Sequence, residues 1–453
     1  MTELESLAAS LVDRARSGEE MEVYVARGQD TEVRAFDGAV ESLSSATSSG
    51  VGIRVLLAGD GDGGGRLGFA WAGSLDEDVV RAALAEARDN ARYATPDPEV
   101  TLARPDGVAA APLDLWDEDL LRTPTDRKVE MAVDLERRVR SADPRIRQVS
   151  SADYGDEQVE VALASTTGIR AHTRRTAAFL SVSAIAGDGP DSQTGGGFSV
   201  ARSTARLDPE RAGTDAVERA IRMLGARKVP SARLTVVFDP RVVSTLLSVV
   251  SSALSGEAVV KGRSFFADRV GEPVAVPSVV LVDDPTDPRA LTAASYDGEG
   301  LACRRNVLVE DGVLRGFLYD TVSGRRAGTV STGSAVRGGF AGTPSPGCRA
   351  LLLHPGTLTQ TEILADVGEG LFVQSVTGVH SGVNPVSGDF SVGVEGLMIR
   401  GGALAEPVRE VTVASTLQRM LQSIVHIGSD VEWLPGIAAG QTLSIADMQL
   451  SGE

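Results

Sequence analysis

The stretch at 239–266, DPRVVSTLLSVVSSALSGEAVVKGRSFF, constrains the fold more than any other, because from Val242 to Ser255 it carries no charged side chain. It is written as a helix. Asp239 can cap the free amides of the first turn, Pro240 suits the first helical position, and Gly256 is placed to end the helix. Val242, Leu246, Val249, Val250 and Ala253 recur at helical spacing, and Ser244, Ser248, Ser251, Ser252 and Ser255 form a stripe of small hydroxyls. Such a surface lies against other protein or along an internal channel, so the surrounding chain has to enclose it.

With 453 residues, 42% hydrophobic and 23% charged, the chain exceeds one ordinary core and has the composition of a globular protein. Its texture changes once. The first part mixes helical and strand patterns: an amphipathic helix at 4–15, strands at 22–26 and 31–36 that read as a hairpin, and further strands at 51–57 and 67–71. A helix at 76–92 turns Val79, Val80, Ala83, Leu84 and Ala87 inward. Pro96 and Pro98 then open an extended connection to Trp116. Beyond it lie a helix at 126–141, strands at 146–154, 158–165, 169–183 and 196–201, and a helix at 209–224. Residues 226–233, ARKVPSAR, read as a linker, after which short strands and glycine-rich turns dominate. The expected fold is α+β in two domains: an amino-terminal α+β domain over 1–227 and a carboxy-terminal β-rich domain, antiparallel or barrel-like, over 228–453. No repeat of fixed period is visible.

A formal charge of −18 repels a phosphate backbone, so nucleic acid is not an expected partner. No apolar run reaches membrane-spanning length, and the acids among the first residues do not fit a secretory signal. Cys303 and Cys348, without CxxC spacing, suit a reduced compartment. These features together predict a cytoplasmic protein without a membrane partner.

Two motifs mislead. Gly63, Gly65 and Gly68 spell GxGxxG, but a strand follows where a dinucleotide fingerprint needs a helix start, and Asp60 and Asp62 would repel a pyrophosphate. Asp60, Asp62 and Gly64 imitate the opening of a calcium loop that lacks its remaining acids. A hairpin tip is the better reading. His172, His354, His380 and His426 are scattered, with no pair at metal-ligand spacing on one element. His380 has Ser381, Asn384 and Asp389 close by, which raises nucleophilic catalysis as one reading and a polar loop beside a peptide channel as another, although no GxSxG elbow is present. Arg304 and Arg305 can pair with Glu299 or bind a peptide carboxylate.

From the linker onward five motifs occur in order: YDGEG at 296–300, CRRNVLVEDGVLRGFLYDTVSGRRAG, GEGLFV, GVNPVSGDFSVGVEGLMIRGGALAEPVREVTVAS and IVHIGSDVE. With ARYATPDPE in the first half, they make the chain resemble the TldD/PmbA family, also called modulators of DNA gyrase, and most of all its PmbA (TldE) branch. The resemblance implies a heterodimer of a TldD-type and a TldE-type subunit that degrades or trims unstructured peptides. In the TldD type, an HExxxH helix and a late Cys hold zinc, and the Glu acts as general base. Aligned on Lys261 and Gly262, the HExxxH positions fall on Leu247, Ser248 and Ser252, and no Cys follows Cys348. Neither a ligand nor a base remains.

The expectation is a non-catalytic TldE-like subunit with no catalytic residue, metal ligand or cofactor of its own, zinc residing in its TldD-type partner. Ser248, Ser252, His380, Ser381, Asn384 and Asp389 are its candidate peptide-channel residues. Two alternatives stand beside it: a metal-independent hydrolase using the His380 loop, and a homodimeric peptide-binding or scaffold protein.

Overall fold

The computed structural model describes residues 1–59 and 64–453. Asp60, Asp62 and Gly63, which carry the two misleading motifs, lie outside the described residues.

The first half is one arrangement used twice. Helix α1 (Glu3–Val12) leads into strands β1 (Glu19–Phe36), β2 (Ala39–Leu57) and β3 (Arg66–Ala72), and α2 (Glu77–Tyr93) closes the unit. After the short α3 (Glu118–Arg122), the order returns as α4 (Thr125–Ala142), β4 (Ile146–Ser165), β5 (Arg170–Ala186), β6 (Gln193–Ala201) and α5 (Pro209–Ile221). The strands form one antiparallel sheet, β3-β2-β1-β4-β5-β6, and the two units meet at the central β1–β4 pair. Close packing follows the same rule in both. A Cβ on Gly68 of β3 would stand 2.1 Å from the Ala87 carbonyl oxygen, and one on Gly195 of β6 would stand 2.2 Å from that of Ala216. Each closing helix therefore rests directly on the backbone of its outer strand.

Strand alternation then gives the sheet two different faces. Met21, Val23 and Val25 share a core with Leu4, Ala8 and Ala87 of the helix layer, whereas Tyr24 packs with Leu163 and Leu301 on the opposite face. The helix-free face meets the second half of the chain.

The structure corrects three expectations. β1 and β4 are each continuous, so 22–26 and 31–36 are not a hairpin, and 146–154 and 158–165 are not separate strands. The polar Arg27, Gly28, Gln29 and Asp30 read as a turn, but neighbours pair with them on both sides and satisfy their backbone. The true turn is Asp37–Gly38, with φ of 51° and 79°, the left-handed pair that a tight two-residue hairpin needs. On α2, Val79 is exposed and Ala91 takes the inner position.

The second half is built on a small closed barrel. β7 (Ala232–Phe238) pairs in parallel with strand Gly370–Thr377, which continues antiparallel to Asp389–Arg400 and then Ala403–Thr416. Strand Leu443–Ser451 pairs with Ala403–Thr416 on one side and with β7 on the other, closing a ring of five. Closure removes free edges, and Val236, Phe238, Leu371, Val392 and Val413 fill the core. Helices α6 (Pro240–Ala253) and α7 (Gly256–Val260) follow β7 directly. Among the described residues no helix is long and apolar enough to cross a membrane.

Candidate functional site

Helix α6 begins as its sequence dictates. The Asp239 carboxylate accepts from the Arg241 amide at 3.0 Å, and Pro240 occupies the first turn. Asp239 also pairs with Arg219 on α5 at 2.9 Å, which ties the barrel to the first half. The end differs from expectation. The helix stops at Ala253, and Gly256 opens α7 instead of capping α6. Glycine is needed there for space, because a Cβ would meet the Tyr319 ring at 2.1 Å. The buried face includes Val243 and Leu247 as well as Val242, Leu246, Val250 and Ala253, while Val249 is only half-buried.

The serine stripe spends its protons on backbone. Ser244 donates to the Ala438 carbonyl at 2.7 Å, Ser248 to Ser244 at 2.9 Å, Ser251 to Ser248 at 2.7 Å and Ser252 to Val249 at 2.7 Å. Ser248 and Ser252 therefore bond within their own helix. Leu247 is buried among apolar neighbours. Beside them lies a cleft of about 580 Å³ lined by Ser251, Ser252, Ser255, Lys261, Pro346 and Cys348. Burial holds the Cys348 thiol well above its usual range, which opposes the thiolate a metal needs. The α6 positions do not fit zinc, and among the described residues no three His, Cys, Asp or Glu side chains gather into a metal-binding group.

This geometry sets a small expected effect. Ser248→Ala and Ser252→Ala should each change stability by no more than about 0.5 kcal/mol in thermal melts. A loss above about 2 kcal/mol would mean that these hydroxyls hold more than their own helix.

His380, Ser381 and Asn384 lie on the connection between two barrel strands, and Asp389 opens the second of them; all four are exposed. They stay close in sequence but are not joined as a triad. Ser381 donates to the Gly378 carbonyl at 3.2 Å, Asn384 accepts from the Val386 amide at 2.9 Å, and Asp389 accepts from Ser387 at 2.6 Å. The other histidines have local roles. His172 meets Glu160 at 2.9 Å, and His426 lies between Asp366 at 2.9 Å and Ser444 at 3.0 Å.

A second set of charged residues was not legible from the sequence. Glu22 and Arg54 on the helix-free face meet Arg337 and Glu299 from the second half, and all four side chains are 3% exposed or less. Glu22 is gripped by Arg54, with Nε at 2.9 Å, and by Arg337 Nη2 at 2.5 Å. Burial opposes its ionisation, but the two guanidinium charges outweigh it and hold the carboxyl below its usual range. Glu299 does not pair with Arg304, which binds Asp106 instead. Its Oε2 accepts from the Thr321 amide at 2.9 Å and hydroxyl at 2.6 Å, while among the described residues Oε1 has Arg54 at 3.7 Å and no hydrogen bond. Burial pushes Glu299 up to about 7.

A carboxyl raised in the folded state favours folding at low pH, and that contribution is lost as pH rises through its folded value. Burial raises Asp283 and Asp297 in the same direction, each to about 6. The protein should therefore gain stability as pH falls from about 8 to about 5, and Glu299→Gln should flatten that gain. Denaturation midpoints at the two pH values test this; an unchanged slope in the variant would contradict it.

Fold and site together define an α+β protein in which a doubled sheet faces a small barrel, with the serine-lined helix α6 packed against the barrel core. Three profiles match successive segments: PmbA/TldA metallopeptidase domain 1 at 21–91, central domain at 118–224 and C-terminal domain at 231–452. Metalloprotease PmbA of Escherichia coli is 26% identical, over 99% of this chain and 96% of its own length. The PmbA homologue of Haemophilus influenzae is 27% identical, over 99% and 95%. The crystal structure of a Bacteroides thetaiotaomicron protein described as a modulator of DNA gyrase superposes with a TM-score of 0.87 over 100% of both chains, at 26% identity. TldE from Thermococcus kodakarensis has the same fold, with a TM-score of 0.88 over 98% of this chain and 100% of its own at 23% identity. The chain belongs to the PmbA/TldD family.

Proposed function

We propose that this chain is the non-catalytic, TldE-like subunit of a heterodimeric zinc metallopeptidase that degrades or trims unstructured peptides, zinc being held by a TldD-type partner. One observation carries the reading: on α6 the positions that the resemblance aligns with the zinc helix hold a buried Leu247 and two serines bonded to their own backbone. Relatives named as metalloproteases favour work within a peptidase, and the likeness to a protein named TldE favours the supporting branch. Extended substrates suit the sheet. β3 pairs with β2 only from Val51 onward, and residues 39–48 are exposed, so their outer edge is open to a peptide main chain. Two free, buried cysteines favour a reduced, cytoplasmic setting.

The test is co-expression with a TldD-type protein followed by size-exclusion chromatography. A single complex that cleaves an unstructured peptide is expected. Two separate species at micromolar concentration would count against the proposal.

A further inference from the structure

Between the helix-free face of the first sheet and the second half lies a cavity of about 480 Å³. Its charge is opposite to that of the molecule. Arg175, Arg337 and Arg349 carry it, in a chain of formal charge −18, while Arg27 and Arg174 at its wall pair elsewhere, with Glu3 at 3.1 Å and Glu118 at 3.5 Å. The two carboxylates on its wall are already engaged: Glu157 by Arg175 at 3.2 Å, and Asp297 by the amides of Glu299, Leu301 and Ala335.

The cations are not all matched. Arg337 is 1% exposed, stacks over the Tyr24 ring at 4.6 Å and gives Nη2 to Glu22, yet its Nε and Nη1 have no partner among the described residues. Arg349 gives Nη2 to the Ala335 carbonyl at 3.3 Å and leaves Nε unpaired. Buried donors of this kind call for an acceptor that the fold does not supply. Tyr24 lies among them. Burial raises its phenol above the usual range, and the charges of Arg337, Arg349 and Arg175 oppose that rise. Arg175, Arg337 and Arg349 line the same cavity as Tyr24.

We infer that this cavity is an anion site for a carboxylate, recognised by Arg175, Arg337, Arg349 and the Tyr24 hydroxyl, and that its ligand is the carboxy-terminal end of a short peptide. Planar guanidinium groups suit a carboxylate geometrically. Val159, Val161 and Leu163 on the same wall suit a carboxylate attached to an apolar body better than a bare phosphate. The choice of a peptide rests on the function proposed above; the anion site does not. A free small acid would share the same chemistry.

Titration calorimetry on the purified full chain separates these cases, and it needs neither partner nor cleavage. The probes are a short alanine peptide as free acid, its carboxy-terminal amide, acetate and inorganic phosphate. The acid should bind at least about tenfold more tightly than the amide, and Arg175→Gln and Tyr24→Phe should each weaken it about tenfold with unchanged melting. Acid binding stronger than acetate and phosphate supports the chain end. Acetate matching the peptide acid would overturn the chain end and leave a free acid as ligand. Equal binding of acid and amide, or no binding of either, would overturn the site itself.

Discussion

Glu22→Ala is expected to cost about 3–5 kcal/mol of stability, because it leaves two buried guanidinium groups without their shared counter-charge. The carboxylate is 2% exposed and accepts from Arg54 and Arg337, which come from opposite halves of the chain. Deleting it unpairs the charge of two guanidinium groups that are 3% exposed or less. Arg54→Ala should be costly for the same reason, and the double variant should cost less than the sum of the two, since the pair acts as a unit. Urea denaturation gives all three values. A loss below about 1 kcal/mol for Glu22→Ala would show that the network is weakly coupled to folding.

Gly52→Val should have the next largest effect, about 3 kcal/mol, by forcing apart the contact between sheet and barrel half. A Cβ at Gly52 would stand 2.3 Å from the Phe340 carbonyl oxygen and 3.3 Å from the Phe69 ring. At neighbouring Gly50 the Phe340 ring itself would lie 2.5 Å away. These two glycines form a notch for the segment that also carries Arg337. Gly338→Ala is the control, since no atom lies within 4 Å of its added carbon, and it should stay within about 0.5 kcal/mol. Faster proteolysis of the 337–342 segment in Gly52→Val would locate the damage. Equal stability of both variants would contradict this account of the contact.

Much of the first half can be read from the sequence because its helices carry their own signals. Asp208 and Asp239 cap helices that begin with proline, and both starts fall where expected. The long strands are harder. At Gly155 the chain looks like a turn, yet the glycine is there because the Phe179 ring of the next strand would lie 2.2 Å from a Cβ. The doubled αβββα plan is likewise hidden, since its two copies share a packing rule at Gly68 and Gly195 but no fixed sequence period.

The site divides in the same way. That Leu247, Ser248 and Ser252 stand where the resemblance would set His, Glu and His is a local reading, made within one stretch. The meeting of Arg337 with Glu22 spans 315 positions, and nothing near either residue announces it. The available signal was a charged residue in the apolar run MEVYV, which alternation reads as solvent-facing. Here the opposite face is buried as well, so alternation separates two interiors rather than inside from outside.

The most direct test of the central claim is zinc content and peptide cleavage of the purified chain, alone and after adding a TldD-type partner. The account predicts no bound zinc and no cleavage by the chain alone, and chelator-sensitive cleavage on mixing. Stoichiometric zinc in the lone chain, or cleavage by it, would contradict the reading of α6 and return attention to the scattered histidines.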